Sequence, residues 1–170
     1  SRVSRGLGDV YKRQLMGMVQ SQRKEGKIYK VGCLGKISDF QKSKDGRVLI
    51  NLTGLTRFEI LEEIENKKLY REFKVDYKKF ELDLVNTQVS QGSETLMQKA
   101  KIFFEKNGLI LNWVEFEKLE KSQKINTLSM ISPITNEEKQ KLLESITLED
   151  KVKTLESIMS FYLHEPNSIS

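Results

Sequence analysis

The sequence predicts an α+β fold, a strand-rich first half followed by a helical second half. Three observations carry this. Between Leu15 and about Val85 apolar residues recur mostly at every second position, the period of a half-buried strand. From Ser93 the period becomes 3.6, that of an amphipathic helix. The punctuation changes in step, with an Asp-Gly turn in the first half and cap residues in the second. The expected organisation is a tail over residues 1–14, a β-rich subdomain over 15–90 and a helical subdomain over 91–165.

The strand elements follow in order. Leu15-Met16-Gly17-Met18-Val19 is a short apolar run between polar residues and reads as a buried strand. Gln20 to Lys27 is a polar loop containing Gly26. Tyr29 to Gln41 holds Val31, Cys33 and Leu34, interrupted by Gly32 and Gly35, which suggest a bulge or bend. Lys44-Asp45-Gly46-Arg47 is a hairpin turn between two strand-like runs. Val48, Ile50 and Leu52 then alternate with Leu49 and Asn51, and Gly54 is expected to break the run. Phe58 and Ile60 share one face, with Arg57 and Glu59 on a solvated one. Phe73, Val75 and Tyr77 alternate with Lys74 and Asp76. The expected closure is a small barrel.

In the helical half Leu96, Ala100, Phe103, Phe104 and Asn107 share one face, and Gly108 is a stop. Asn112-x-x-Glu115 begins a second helix, with Phe116 and Leu119 inward and Leu128 and Ile131 continuing the pattern until Pro133 ends it. Thr135-x-x-Glu138 is a capping box ahead of Leu142 and Leu143. Thr147-x-x-Asp150 has the same spacing before Val152, Leu155, Met159 and Tyr162. Three or four short helices are expected, packed as a compact bundle with Leu148 also buried.

Composition excludes much. Charged residues are 31% and hydrophobic residues 38% of 170, a soluble globular balance with no apolar run long enough for a bilayer helix. The single Cys33 cannot form an internal disulfide, so a reducing, cytoplasmic setting is the expectation. Ser1 to Gln14, SRVSRGLGDVYKRQ, has neither period and resembles sequencing-adapter DNA translated in frame; it is read as a non-native tail. Of the 29 basic and 24 acidic residues, four basic and one acidic lie there, which leaves 25 and 23, a net of +2. That balance is a poor electrostatic footprint for nucleic acid.

Catalytic patterns are missing too. GxxxxGK[ST], GxGxxG and HExxH do not occur, and one histidine, His164, cannot build a metal cluster. Cys33 in an apolar strand reads as a core residue ahead of a nucleophile. No cofactor, metal or catalytic residue is expected. Lys67-Lys68, Lys78-Lys79 and Glu62-Glu63 read as solvated faces. Phe103, Phe104 and Trp113 read as core first, and as an exposed grip for extended peptides second.

Several segments, in order, resemble one family. Gln14-Leu-Met-Gly-Met-Val-Gln20 is similar to the R-L-I-G-M-V-Q-P strand of the Lon N-terminal, substrate-binding domain family. Tyr29 to Ile37 resembles its V-G-x-x-G-x-I segment. Asp45-Gly-Arg47, Leu52-Thr-Gly54 and Arg57-Phe58 resemble its D-G-R hairpin. Leu128-Ser-Met130, Pro133 and Glu137 to Glu144 resemble its L-x-M-x-x-P-x-x-x-E-E-K-Q-x-L-L-E stretch. The resemblance runs from Leu15 to about Leu163.

It implies a PUA-like β-pseudobarrel followed by a C-terminal α-helical bundle. It also implies a non-catalytic role in recognising unfolded or extended polypeptides, linked to ATP-dependent proteolysis or protein quality control. An ATP-dependent protease is then a possible partner, and a membrane is not. The expected peptide-binding surface lies between the sheet and the first helices, with Tyr70, Phe73 and Trp113 as aromatic anchors. The family's opening P-L-x-x-x-x-x-P-G and I-F-E-x-R-Y segments are absent. An incomplete barrel is therefore expected, with Leu15 to Val19 paired on one side only or with apolar side chains exposed. With no ATPase or protease segment in the sequence, a free-standing bacterial form is expected. The alternative function is a PUA-like RNA-binding module.

Overall fold

The computed structural model describes residues 14–23, 26–84 and 94–164. Most of the tail expected over 1–14 and the expected boundary at 90/91 lie outside them. The chain divides into two compact units, Ser1–Asn86 and Thr87–Ser170.

Among the described residues the first unit is an antiparallel sheet of four strands, β1 (Leu15–Met18), β2 (Val31–Lys42), β3 (Val48–Ile64) and β4 (Glu72–Asp76). Its spatial order is its chain order, β1-β2-β3-β4. A 3-10 segment, Lys78–Leu84, follows β4. The hairpin after β2 forms as the Asp-Gly pair predicts. Gly46 takes a φ of 85°, which a residue with a Cβ rarely adopts, and Ser43 and Arg47 close the turn by a backbone bond of 2.9 Å. Three bulges bend the ladder, and the register places the extra residues at Ser38, Leu55 and Leu61.

Three expectations for this half change. Gly54 does not break a strand; β3 runs through it, and the irregularity is the bulge at Leu55 beside it. Arg57 is not on a solvated face, because it and Phe58 are both buried. β1 is not buried: Leu15, Met16 and Met18 are exposed, and β1 is an edge strand whose one ladder partner among the described residues is β2. The exposed edge is the alternative that an incomplete barrel implied. The polar loop from Gln20 to Lys27 falls between β1 and β2, with Ser21 bridging Ile28. The unit's buried apolar residues are Val31, Ile37, Phe58 and Phe80, with Tyr77 edge-on to Phe58 at 6.5 Å between centroids.

Among the described residues the second unit holds five α-helices: α1 (Glu94–Lys106), α2 (Trp113–Glu117), α3 (Lys121–Ile131), α4 (Asn136–Glu144) and α5 (Leu148–His164). The expectation of three or four short helices fails at one place. The pattern from Asn112 to Pro133 is two helices, divided at Lys118-Leu119-Glu120, where Glu120 caps α3 reciprocally with Gln123. Glutamate is an uncommon cap residue, so the sequence carries little signal there. The other caps are as read: Asn112 accepts from the Glu115 amide, and Thr135 and Glu138 form a full capping box. The core gathers Leu96, Ala100, Phe103 and Phe104 of α1 with Phe116, Ile125, Leu128, Leu142, Leu155 and Met159. Leu148 packs against it only partly buried.

Candidate functional site

A surface that grips an extended chain needs exposed apolar side chains and unsatisfied strand edges. The first unit has both. Leu15, Met16 and Met18 stand exposed on β1, Val48 and Leu49 at the start of β3, and Leu69 and Tyr70 between β3 and β4. The glycines of this unit let the strands close up. A Cβ on Gly32 would lie 2.6 Å from the Met18 carbonyl oxygen and 2.6 Å from Phe58 Cζ, so no larger residue fits beneath β1.

Tyr70 precedes β4 and Phe73 lies on it, opposite Glu63 of β3. Arg71 reaches Glu63 by two bonds of 2.6 Å, and its guanidinium lies 5.1 Å from the centre of the Phe73 ring. That pair holds the Glu63 carboxyl below its usual range and pushes Arg71 up. Tyr70 is mostly exposed, with the Lys68 ammonium 5.3 Å from its ring. Lys68 also pairs with Glu72, and its pKa is raised chiefly by that carboxylate. The two aromatic rings are thus fixed from one side by paired cations.

Trp113 belongs to the second unit. It opens α2 just after the Asn112 cap and packs edge-on to Phe104 at 5.8 Å and Phe116 at 5.5 Å. The Lys101 ammonium sits 5.5 Å from its ring. Its partly buried side chain joins the helical core, and the exposed apolar side chains near it in sequence are Ile110 and Val114.

Sequence reading missed one cluster entirely. Arg57, Asp83 and Phe80 form a nearly enclosed group, with the Arg57 guanidinium 4.3 Å from the Phe80 ring centre. Only the Phe80 position in an apolar-polar alternation hinted at it. Cys33, the register partner of Arg57, has its thiol pushed up, first by burial and then by the Asp83 carboxylate, against the pull of Arg57. It is poorly disposed to act as a nucleophile. His164, in the last turn of α5, donates from Nδ1 to the Ser160 carbonyl at 2.6 Å. Among the described residues no group of three His, Cys, Asp or Glu side chains is placed to hold a metal, and no helix is long and apolar enough to cross a membrane.

Several of the basic side chains around these surfaces are matched. Lys74 pairs with Glu62, Lys79 with Glu59, and Lys101 and Lys124 both with Glu117. Such exposed pairs add little stability.

An antiparallel sheet followed by a helical bundle is the architecture of Lon N-terminal domains. Two solved structures share it: the N-terminal domain of Lon protease from the Mycobacterium avium complex and a Lon N-terminal domain protein from Xanthomonas campestris. The first aligns with a TM-score of 0.51 at 15% identity, over 85% of this chain and 77% of that one. The second aligns with a TM-score of 0.54 at 15% identity, over 87% and 89%. The sequence profile described as the ATP-dependent protease La (LON) substrate-binding domain matches residues 8–160, and the chain belongs to that family. No curated protein sequence matches it significantly. The family model is that of a substrate-binding domain, and both solved structures are Lon N-terminal domains.

Proposed function

We propose that this domain recognises and holds unfolded or extended protein segments, without catalysis of its own, on behalf of ATP-dependent proteolysis or protein quality control in the cytoplasm. The observation that carries the reading is the set of large apolar side chains exposed around the sheet, Leu15, Met18, Leu49, Leu69 and Tyr70 among them. A folded client hides its apolar residues and its strand edges; an unfolded one offers both. Tyr70 and Phe73 are proposed as anchors on the first unit and Trp113 on the second. Aromatic rings suit this because they bury large area for little lost side-chain freedom.

Affinity should be weak, on the order of micromolar or poorer, because the client loses conformational entropy when it is held. The test is titration of the domain with a permanently unfolded protein, followed by Trp113 fluorescence, with single-stranded RNA as control. Saturable binding of the unfolded protein that survives raised salt is expected. Saturable RNA binding at physiological salt with no response to unfolded protein would overturn the reading in favour of the RNA-binding alternative.

A further inference from the structure

The ladder is four strands wide only over part of its length. β1 reaches β2 at Cys33 to Lys36, and β4 reaches β3 at Glu59 to Ile64. Beyond those limits the Ile37 amide still donates to the Gln14 carbonyl at 3.1 Å; from Ser38 to Lys42 and from Val48 to Leu52, β2 and β3 form a ladder only with each other among the described residues. They form a two-stranded arm ending in the Lys44-Asp45-Gly46 turn.

The arm has unlike faces and unlike edges. The register pairs Ile37 with Leu52, Phe40 with Ile50 and Lys42 with Val48, so these six share one face. That face is apolar up to its last rung. Burial falls along it, from Ile37 at 2% exposed to Val48 at 51%. The turn bond from the Ser43 amide to the Arg47 carbonyl, 2.9 Å, fixes which residues bond across the arm. By alternation, Val48, Ile50 and Leu52 direct their N–H and C=O groups away from β2. On the opposite edge the outward amide of Phe40 is already taken, donating to the Asp39 carboxylate at 2.9 Å. One edge is therefore guarded by an acid, and the other presents three consecutive backbone rungs beside an apolar face.

The turn adds charge. Lys42, Lys44 and Arg47 lie in or beside the turn with a single turn carboxylate, Asp45, and Arg47 Nε is 3.4 Å from it. Asp45 is occupied within the turn, accepting from the Ser43 hydroxyl and, at 3.1 Å, from the Arg47 amide.

We propose that the β3 edge of this arm, at Val48, Ile50 and Leu52, takes up an extended protein segment as an added strand, preferring apolar residues at alternate positions and acidic residues beside the turn. This rests on the substrate-binding reading above and assigns it a location and a sequence preference. Backbone rungs give affinity without sequence demands, the apolar face reads every second side chain, and the cations at the turn set direction.

The experiment uses the whole chain and short labelled peptides of alternating valine and threonine, ending in two aspartates or two lysines. Two variants accompany it: Lys44→Glu with Arg47→Glu, and Ile50→Pro. Proline at this outward position removes a donor that the β2 ladder does not use. The expected results are preferential binding of the acidic peptide, reversal of that preference in the charge variant and loss of binding in Ile50→Pro. Amide exchange should slow at Val48, Ile50 and Leu52 and stay unchanged at Phe40. If Ile50→Pro fails to fold, the charge variant and the exchange pattern still decide. Binding of an unfolded protein with unchanged preference in the charge variant, or with protection elsewhere, overturns this site and leaves the general reading standing. Failure of the unmodified chain to bind either peptide or unfolded protein overturns both.

Discussion

Arg57 and Asp83, 26 residues apart in the chain, are joined at three points. Arg57 Nη2 lies 2.7 Å from Asp83 Oδ1, while Nε and the Arg57 backbone N–H both donate to Oδ2 at 2.9 Å. The pair fastens the 3-10 segment to the middle of β3, and Phe80 covers the guanidinium. Removing one member strands the other in a mostly dry place. Asp83→Ala should lower stability by about 3 kcal/mol, measured by urea unfolding, and more than Arg57→Met does in an Asp83→Leu background. Equal losses would mean that the charge pairing contributes nothing beyond packing.

Two glycines of the sheet should respond oppositely to alanine. At Gly32 the new Cβ meets the Met18 carbonyl, Phe58 and Val19 at 2.6 Å, so β1 must shift, at a cost of about 1–3 kcal/mol. At Gly54 the nearest atom is Cys33 Sγ at 3.7 Å, ordinary contact distance. Gly54→Ala should be neutral or mildly stabilising, since alanine has less freedom to lose on folding. Thermal melts of the two variants, side by side, check this.

In the helical unit Leu155 is fully buried whereas Ile110 is fully exposed. Leu155→Ala should cost on the order of 2–5 kcal/mol, the loss of transfer energy plus a cavity. Ile110→Ala should stay within about 0.5 kcal/mol. A small loss at Leu155 would mean that α5 is not a core helix.

The particular residues show what a sequence can reveal. Local chemistry was legible: the Gly46 turn, the Thr135–Glu138 box and the buried stripe of α1 each depend on a few neighbouring residues. Two features were not. Arg57 has the look of a solvated residue because its partner Asp83 is distant in the chain, and no local pattern announces a long-range ion pair. The α2–α3 division was hidden because Leu119 and Ile125 continue an apolar rhythm across it. The candidate anchors split along the same line. Tyr70 and Phe73 each lie against a cation near in sequence, Lys68 and Arg71, while the setting of Trp113 comes from Phe104 and Phe116.

The Tyr162 phenol makes stability depend on pH at the alkaline end. It donates to Glu138 Oε2 at 2.9 Å, and burial first, then that carboxylate, raises its pKa above the usual value of 10.0. The folded state therefore keeps the phenol proton longer than the unfolded chain does. This contribution is whole below the unfolded pKa and is lost as pH rises through the folded one. Urea midpoints should fall as pH rises above about 10, and fall less in Tyr162→Phe, which has no proton to lose. Parallel slopes for the two proteins would contradict this.

The order β1-β2-β3-β4 has a kinetic meaning. Every strand pairs with its neighbour in the chain, so each new pairing closes only the short loop between them. Such a meander can be zipped up as the polypeptide leaves the ribosome, with no strand waiting for a distant mate. The hairpin at Gly46 is the natural seed, since its turn is preformed and its two arms are the longest strands of the sheet. A domain that handles unfolded chains would then itself spend little time as one.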